Sequence, residues 1–126
     1  MPESFNKMKI WQIGYGLVME IYEVSSKFPD IEKYVLVQQM IKAPNSVIAN
    51  IAESHGRYYY LDKIRVLYIS RGEAEEMQSH LSVARGRDYI TEEKFIELFD
   101  EYESLIIKIN EQIKYLRSKI SENKKD

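Results

Sequence analysis

His55 and His80 are the two histidines of this chain, and imidazole is the side chain that both titrates near neutral pH and ligates metals most readily. His80 follows Glu76 by four residues, one helical turn, which puts both groups on one helix face. Di-iron bundles instead place histidine three residues after glutamate, once on each of two helices. Neither histidine has that spacing, so the Glu76–His80 pair reads as solvated or interfacial, and it binds a metal only with outside help. Serines are plentiful, yet no nucleophile elbow, glycine-rich phosphate loop or HExxH occurs. With no cysteine, disulfides, thiolate zinc sites and cysteine nucleophiles are excluded together. The expectation is a non-enzymatic chain with no catalytic residues, no metal ligands and no cofactor.

The richest cluster runs from Arg57 to Arg65, where Tyr58, Tyr59 and Tyr60 stand between Arg57 and the cations Lys63 and Arg65. Successive helical residues point about 100° apart, so three consecutive tyrosines cannot all face inward. Rings beside guanidinium and ammonium groups suit stacking on unpaired bases and gripping phosphates. The same groups serve protein interfaces, or simply a wet surface, and the residues leave all three readings open. Candidate contact residues for nucleic acid or a partner are Arg57, Tyr58, Tyr59, Lys63, Arg65, Arg71, Arg85 and Arg87. Asn50 and Glu53, flanked by Ile48, Ile51 and Ala52, read as a buried polar link between the second and third helices, with Arg57 or Arg65 opposing Glu53. Buried polar groups need such partners, and Glu53→Ala is expected to cost a few kcal/mol on this reading.

These residues must be positioned by a chain of 126 residues, 44% hydrophobic and 30% charged, which fits one soluble domain spanning 1–126 with its core at about 5–120. The absence of cysteine fits a reducing cytoplasm. Glu3, Lys7 and Lys9 interrupt the start, unlike the apolar run of a signal peptide. No stretch approaches the roughly 20 apolar residues that cross a bilayer. Net charge is -2, but it is unevenly spread: Glu73 to Glu103 holds three basic residues to ten acidic, and Ser104 to Asp126 six basic to three acidic. An acidic band and a basic end on one domain bear on partners, not on fold.

Strand alternation is absent and glycine and proline are few, so the elements are helices. An antiparallel up-down four-helix bundle is expected. The first helix, about Asn6 to Lys27, carries two apolar stripes: Met8, Trp11, Tyr15, Val18 and Tyr22, and beside it Ile10, Leu17, Ile21, Val24 and Phe28. One stripe suffices for a core, and the spare one points to a subunit interface. The second, about Ile31 to His55, puts Tyr34, Val37, Ile41, Ile48, Ile51 and Ala52 inward, with a kink or break at Pro44. The third spans about Tyr59 to Asp88. In the fourth, Phe95, Phe99, Tyr102, Ile106, Ile109, Ile113, Leu116 and Ile120 form a heptad seam, and Thr91 is its expected N-cap.

Ser46-Val47-Ile48-Ala49-Asn50-Ile51-Ala52-Glu53, with Gly56-Arg57, Arg65, Leu67, Gly72, Glu76 and Leu81, resembles bacterial intervening-sequence proteins encoded within or near large-subunit ribosomal RNA genes. It also resembles accessory proteins of diversity-generating retroelements. Phe5, Trp11, Phe28-Pro29 and Tyr89-Ile90-Thr91 extend the match across roughly Phe5 to Ile120. Relatives usually have proline at the position of Ile48 and glycine at that of Ser54. The resemblance implies a four-helix bundle assembled with further copies of itself into a homopentameric ring, and a nucleic-acid partner, RNA or DNA, or a reverse transcriptase. The alternative is a protein-only assembly module.

Overall fold

The computed structural model describes residues 4–125; Met1–Glu3 and Asp126 lie outside the described residues. Four long helices carry the fold: α1 (Lys9–Ser25), α2 (Leu36–Gly56), α3 (Tyr60–Gly86) and α4 (Glu92–Lys125), with single 3-10 turns at Phe5–Lys7 and Asp30–Glu32. No strand occurs among the described residues. Each helix packs on its neighbours in chain order and α1 packs on α4, whereas the backbones of the diagonal pairs α1/α3 and α2/α4 stay apart. The result is the expected four-helix bundle, closed as a square by the short turns between successive helices.

α1 ends at Ser25, just ahead of Phe28-Pro29, because the residue before a proline disfavours the α conformation. The α3–α4 turn is a Schellman motif: the Tyr89 N–H donates to the Ala84 carbonyl at 2.9 Å, and Asp88 takes the left-handed conformation at φ 62°. Thr91 then caps α4 as expected, its Oγ1 accepting from the Lys94 N–H at 3.1 Å.

Three expectations are corrected. First, the start of the second helix is out of phase. Ile31 and Tyr34 are exposed outside α2, because Val35 at φ -120° and ψ -94° resets the chain before Leu36. The inward set is therefore Leu36, Met40, Ala43, Pro44, Val47, Ile51 and Ser54. Second, of the kink or break expected at Pro44 the break does not occur: α2 runs unbroken through it. The pyrrolidine ring is buried in the core, and Asn45 Nδ2 reaches back to the Ile41 carbonyl at 2.8 Å, so neither Asn45 nor Ser46 starts a new helix. Third, Asn50 and Glu53 do not link α2 to α3. Asn50 Nδ2 bonds the Ser46 carbonyl one turn back, and exposed Glu53 pairs with Arg57 at the end of its own helix. Their positions fall on the flank of α2, away from the stripe through Val47, Ile51 and Ser54. The polar links between α2 and α3 come from α3: Ser70 Oγ donates to the Val47 carbonyl at 2.8 Å, and Lys63 Nζ donates to the carbonyls of Ser54 and His55, each at 3.1 Å.

The core is continuous from Ile10 to Leu116. In α4, Tyr102, Ile106, Ile109, Ile113 and Leu116 of the predicted seam are buried, joined by fully buried Leu98 and Leu105. The stripe through Ile10, Leu17 and Ile21 of α1 and Phe28 just beyond it enters the core, and so does Val18 from the other stripe. α1 meets α2 closely at Gly14, where a Cβ would lie 2.6 Å from Ile48 Cγ2.

Candidate functional site

The predicted contact residues separate into three places. At the α2–α3 turn, Tyr58 and Tyr59 are 87% and 67% exposed and meet edge to face at 4.9 Å. Two cations here are engaged by the fold: Arg57 by Glu53, and Lys63 by the last carbonyls of α2, where a cation complements the helix dipole. Arg65 lies farther along α3 with its side chain 65% exposed and Asp62 at 3.7 Å. Beside the two rings, Tyr59, Tyr60, Leu61, Asp62, Ile120 and Asn123 line a shallow depression of about 430 Å³.

The second place is the flank of α3 and α4. Arg71 Nη1 donates to Asn110 Oδ1 at 2.7 Å, and its guanidinium lies 4.6 Å from the centre of the Tyr68 ring. The third is the opposite end of the bundle, where Arg85 donates to Asp88 at 3.2 Å and Arg87 sits 5.9 Å from the Tyr89 ring. The Tyr89 hydroxyl in turn donates to Glu32 at 2.7 Å. The 27 residues of α3 separate the first place from the third by about 40 Å, so one chain does not gather all eight residues into one patch.

Two further features belong to the surface. On the outside of α1, Phe5 meets Trp11 edge on at 5.1 Å, and Trp11 stacks on Tyr15 at 5.2 Å. Tyr15, Met19 and Tyr22 continue that face at 45–47% exposure. The stripe is narrower than its sequence suggests, because Val18 turns inward. On the α1–α4 side, the carboxylates of Glu20, Glu97 and Glu101 lie within 4.8 Å of one another, with Lys94 3.9 Å from Glu20. Burial, then the charges of Glu20 and Glu97, hold the Glu101 carboxyl above its usual range. These are the described carboxylates best placed for a cation; His80, its side chain 17% exposed, instead pairs with Glu76 at 3.3 Å one turn back on α3.

The residues missed at the level of sequence are Tyr68, which shares α3 with Arg71, and Asn110 and Arg117, which join it from α4. Tyr68-x-x-Arg71 gives the spacing of one helix face, and Arg117 lies in the basic stretch after Ser104, but only the α3–α4 register brings them together.

No curated protein matches this sequence. A crystal structure of a protein of unknown function from the S23 ribosomal protein family of Bacteroides thetaiotaomicron superposes with a TM-score of 0.77 at 22% identity, covering 83% of this chain and 95% of that one. At that identity the likeness concerns the fold. Residues 6–111 match the family model of the 23S rRNA-intervening sequence protein, a span holding α1, α2, α3, the first part of α4 and the Ser46–Glu53 signature, and the chain belongs to that family.

Proposed function

We propose that this protein is a non-enzymatic homo-oligomeric scaffold, a ring of copies, that binds nucleic acid or a nucleic-acid enzyme such as a reverse transcriptase. The observation that carries the reading is the aromatic face of α1. Trp11 stacks on Tyr15, and Tyr15, Met19 and Tyr22 stay about half-exposed along that outer face instead of entering the core; such a face on a small domain is the kind that association covers. Membership of a family named for the 23S rRNA intervening sequence supports a nucleic-acid partner. So do exposed Tyr58 and Tyr59 with Arg65 beyond them, since rings and guanidiniums together hold unpaired bases and phosphates. A ring repeats each patch once per subunit, which raises avidity without new contacts.

The test is a fluorescence-anisotropy titration of a labelled single-stranded RNA and a DNA duplex at about 50 and about 150 mM salt. Saturable binding that weakens with salt is expected, because phosphate contacts release counterions. No binding at the lower salt would sink the nucleic-acid reading. The protein-only assembly module would then stand, favoured by the acidic groups of α3 and α4.

A further inference from the structure

The α3–α4 flank holds two guanidiniums that no carboxylate of the described chain neutralises. Arg57, Arg65 and Arg85 are each ion-paired, with Glu53, Asp62 and Asp88. Arg71 and Arg117 have only neutral partners. Both sit around one ring, their guanidinium carbons 4.6 and 5.7 Å from the centre of Tyr68. Arg117 Nη2 donates to the Tyr68 hydroxyl at 2.6 Å, and Arg71 Nη1 donates to Asn110 Oδ1 at 2.7 Å.

Neutral partners fix the position of a cation without cancelling its charge. A guanidinium has five N–H donors in a planar fork, and each of these two uses one of them. The Tyr68 hydroxyl, while accepting from Arg117, keeps its own hydrogen to donate. Two positive charges and many unspent donors thus stand in fixed places on an open flank. A carboxylate-bearing neighbour would have quenched such a cluster; a phosphate, like a carboxylate, is an oxyanion whose geometry the arginine fork matches in bidentate fashion. Tyr68 is 36% exposed, leaving ring edge or face for a base, and Arg65 lies one turn earlier on the same side of α3, toward Tyr58 and Tyr59.

We propose that Tyr68, Arg71 and Arg117 form a phosphodiester-binding subsite for single-stranded nucleic acid. The subsite rests on the nucleic-acid reading above and gives it a location on the chain.

The experiment titrates a fluorescein-labelled 20-nucleotide oligouridylate with the full chain across a salt series. The variants are Arg71→Gln/Arg117→Gln, Arg71→Lys/Arg117→Lys, Tyr68→Leu, and, at the far end, Lys27→Gln/Lys33→Gln, two exposed lysines. The Gln pair is expected to weaken binding at least about tenfold and to flatten the log–log salt slope by about 1.4, two phosphate contacts on a single strand. The Lys pair keeps the charge but loses the fork, so it retains the wild-type slope with weaker binding. The far-end pair changes affinity by less than about threefold. If the Gln pair fails to fold, the Lys pair and Tyr68→Leu carry the test, each expected to weaken binding about fivefold. Wild-type binding that the flank variants leave within twofold, with unchanged slope, overturns this subsite and leaves the nucleic-acid reading intact. Competition by polyglutamate equal to that by unlabelled RNA overturns it in favour of an acidic protein. Absence of any wild-type binding overturns both.

Discussion

The outer face of α1 and the outer flank of α3–α4 both display tyrosine, but they hold it in opposite ways. On α1 the ring of Tyr15 stacks on Trp11 and leads on to Met19 and Tyr22, an apolar surface whose natural cover is another apolar surface. On the flank, Tyr68 is held by Arg71 and Arg117, a polar surface that water already satisfies and that a phosphate would satisfy better. The same residue type is therefore no guide to role by itself. Its neighbours decide whether exposure favours association or anion binding, and the comparison assigns the two proposed tasks to separate sides of one bundle.

Charge placed on the α1 face should break the comparison most visibly. Tyr15→Glu/Tyr22→Glu is expected to reduce any assembly to single chains of 15.0 kDa by light scattering, while Arg71→Gln/Arg117→Gln leaves the mass unchanged. Dissociation by the flank pair would erase the distinction between the sides. Next in size is Gly14→Ala, which drives a methyl toward Ile48 Cγ2. Ile48 is β-branched and stiff, so overpacking should cost about 1–3 kcal/mol in urea unfolding; no loss would mean that α1 and α2 separate freely.

Tyr102→Phe sharpens the account of the core. The Tyr102 hydroxyl is buried and finds no hydrogen-bond partner among the described residues, so its removal should stabilise the fold by about 1 kcal/mol. Burial, followed by the charges of Glu101 and Glu20, holds the phenol above its ordinary value of 10.0. As pH rises past 10 the unfolded chain loses this proton and the folded chain keeps it. Stability must then fall with pH, and the variant's alkaline slope should be shallower than that of the wild type. An identical slope would contradict the burial. Smallest of all is Glu53→Ala: an i,i+4 pair whose side chains are 38% and 49% exposed is worth about 0.3–0.5 kcal/mol. A loss of several kcal/mol in thermal unfolding would restore the interhelical link that the geometry replaces.

The bundle was legible in the residues because its signals are local. The α4 seam and the Thr91 cap need only helical periodicity, and Phe28-Pro29 needs only proline sterics. What escaped depends on context. Pro44 predicts a break only while its surroundings are unknown; buried in the core with Asn45 bonding the Ile41 carbonyl, it is carried by an intact helix. Glu53 looked buried because its sequence neighbours are apolar, yet Val35 resets the helix start and the inward stripe passes through Ser54. Lys63 offered a charge for phosphates and proves to be the cap of α2. Among the candidates, Tyr58, Tyr59, Arg65 and Arg87 are exposed, and half-buried Arg71 keeps a charge that no described carboxylate pairs. Arg117 was invisible as a partner of Arg71 because no residue pattern gives the α3–α4 register.

The central claim is that a chain with an aromatic outer face on α1 works as an assembly. The most direct measurement is the mass of the unaltered protein in solution by light scattering during size-exclusion chromatography, across a dilution series. The account predicts a stable integral multiple of 15.0 kDa, five-fold for a pentameric ring. A single-chain mass at every concentration would contradict it.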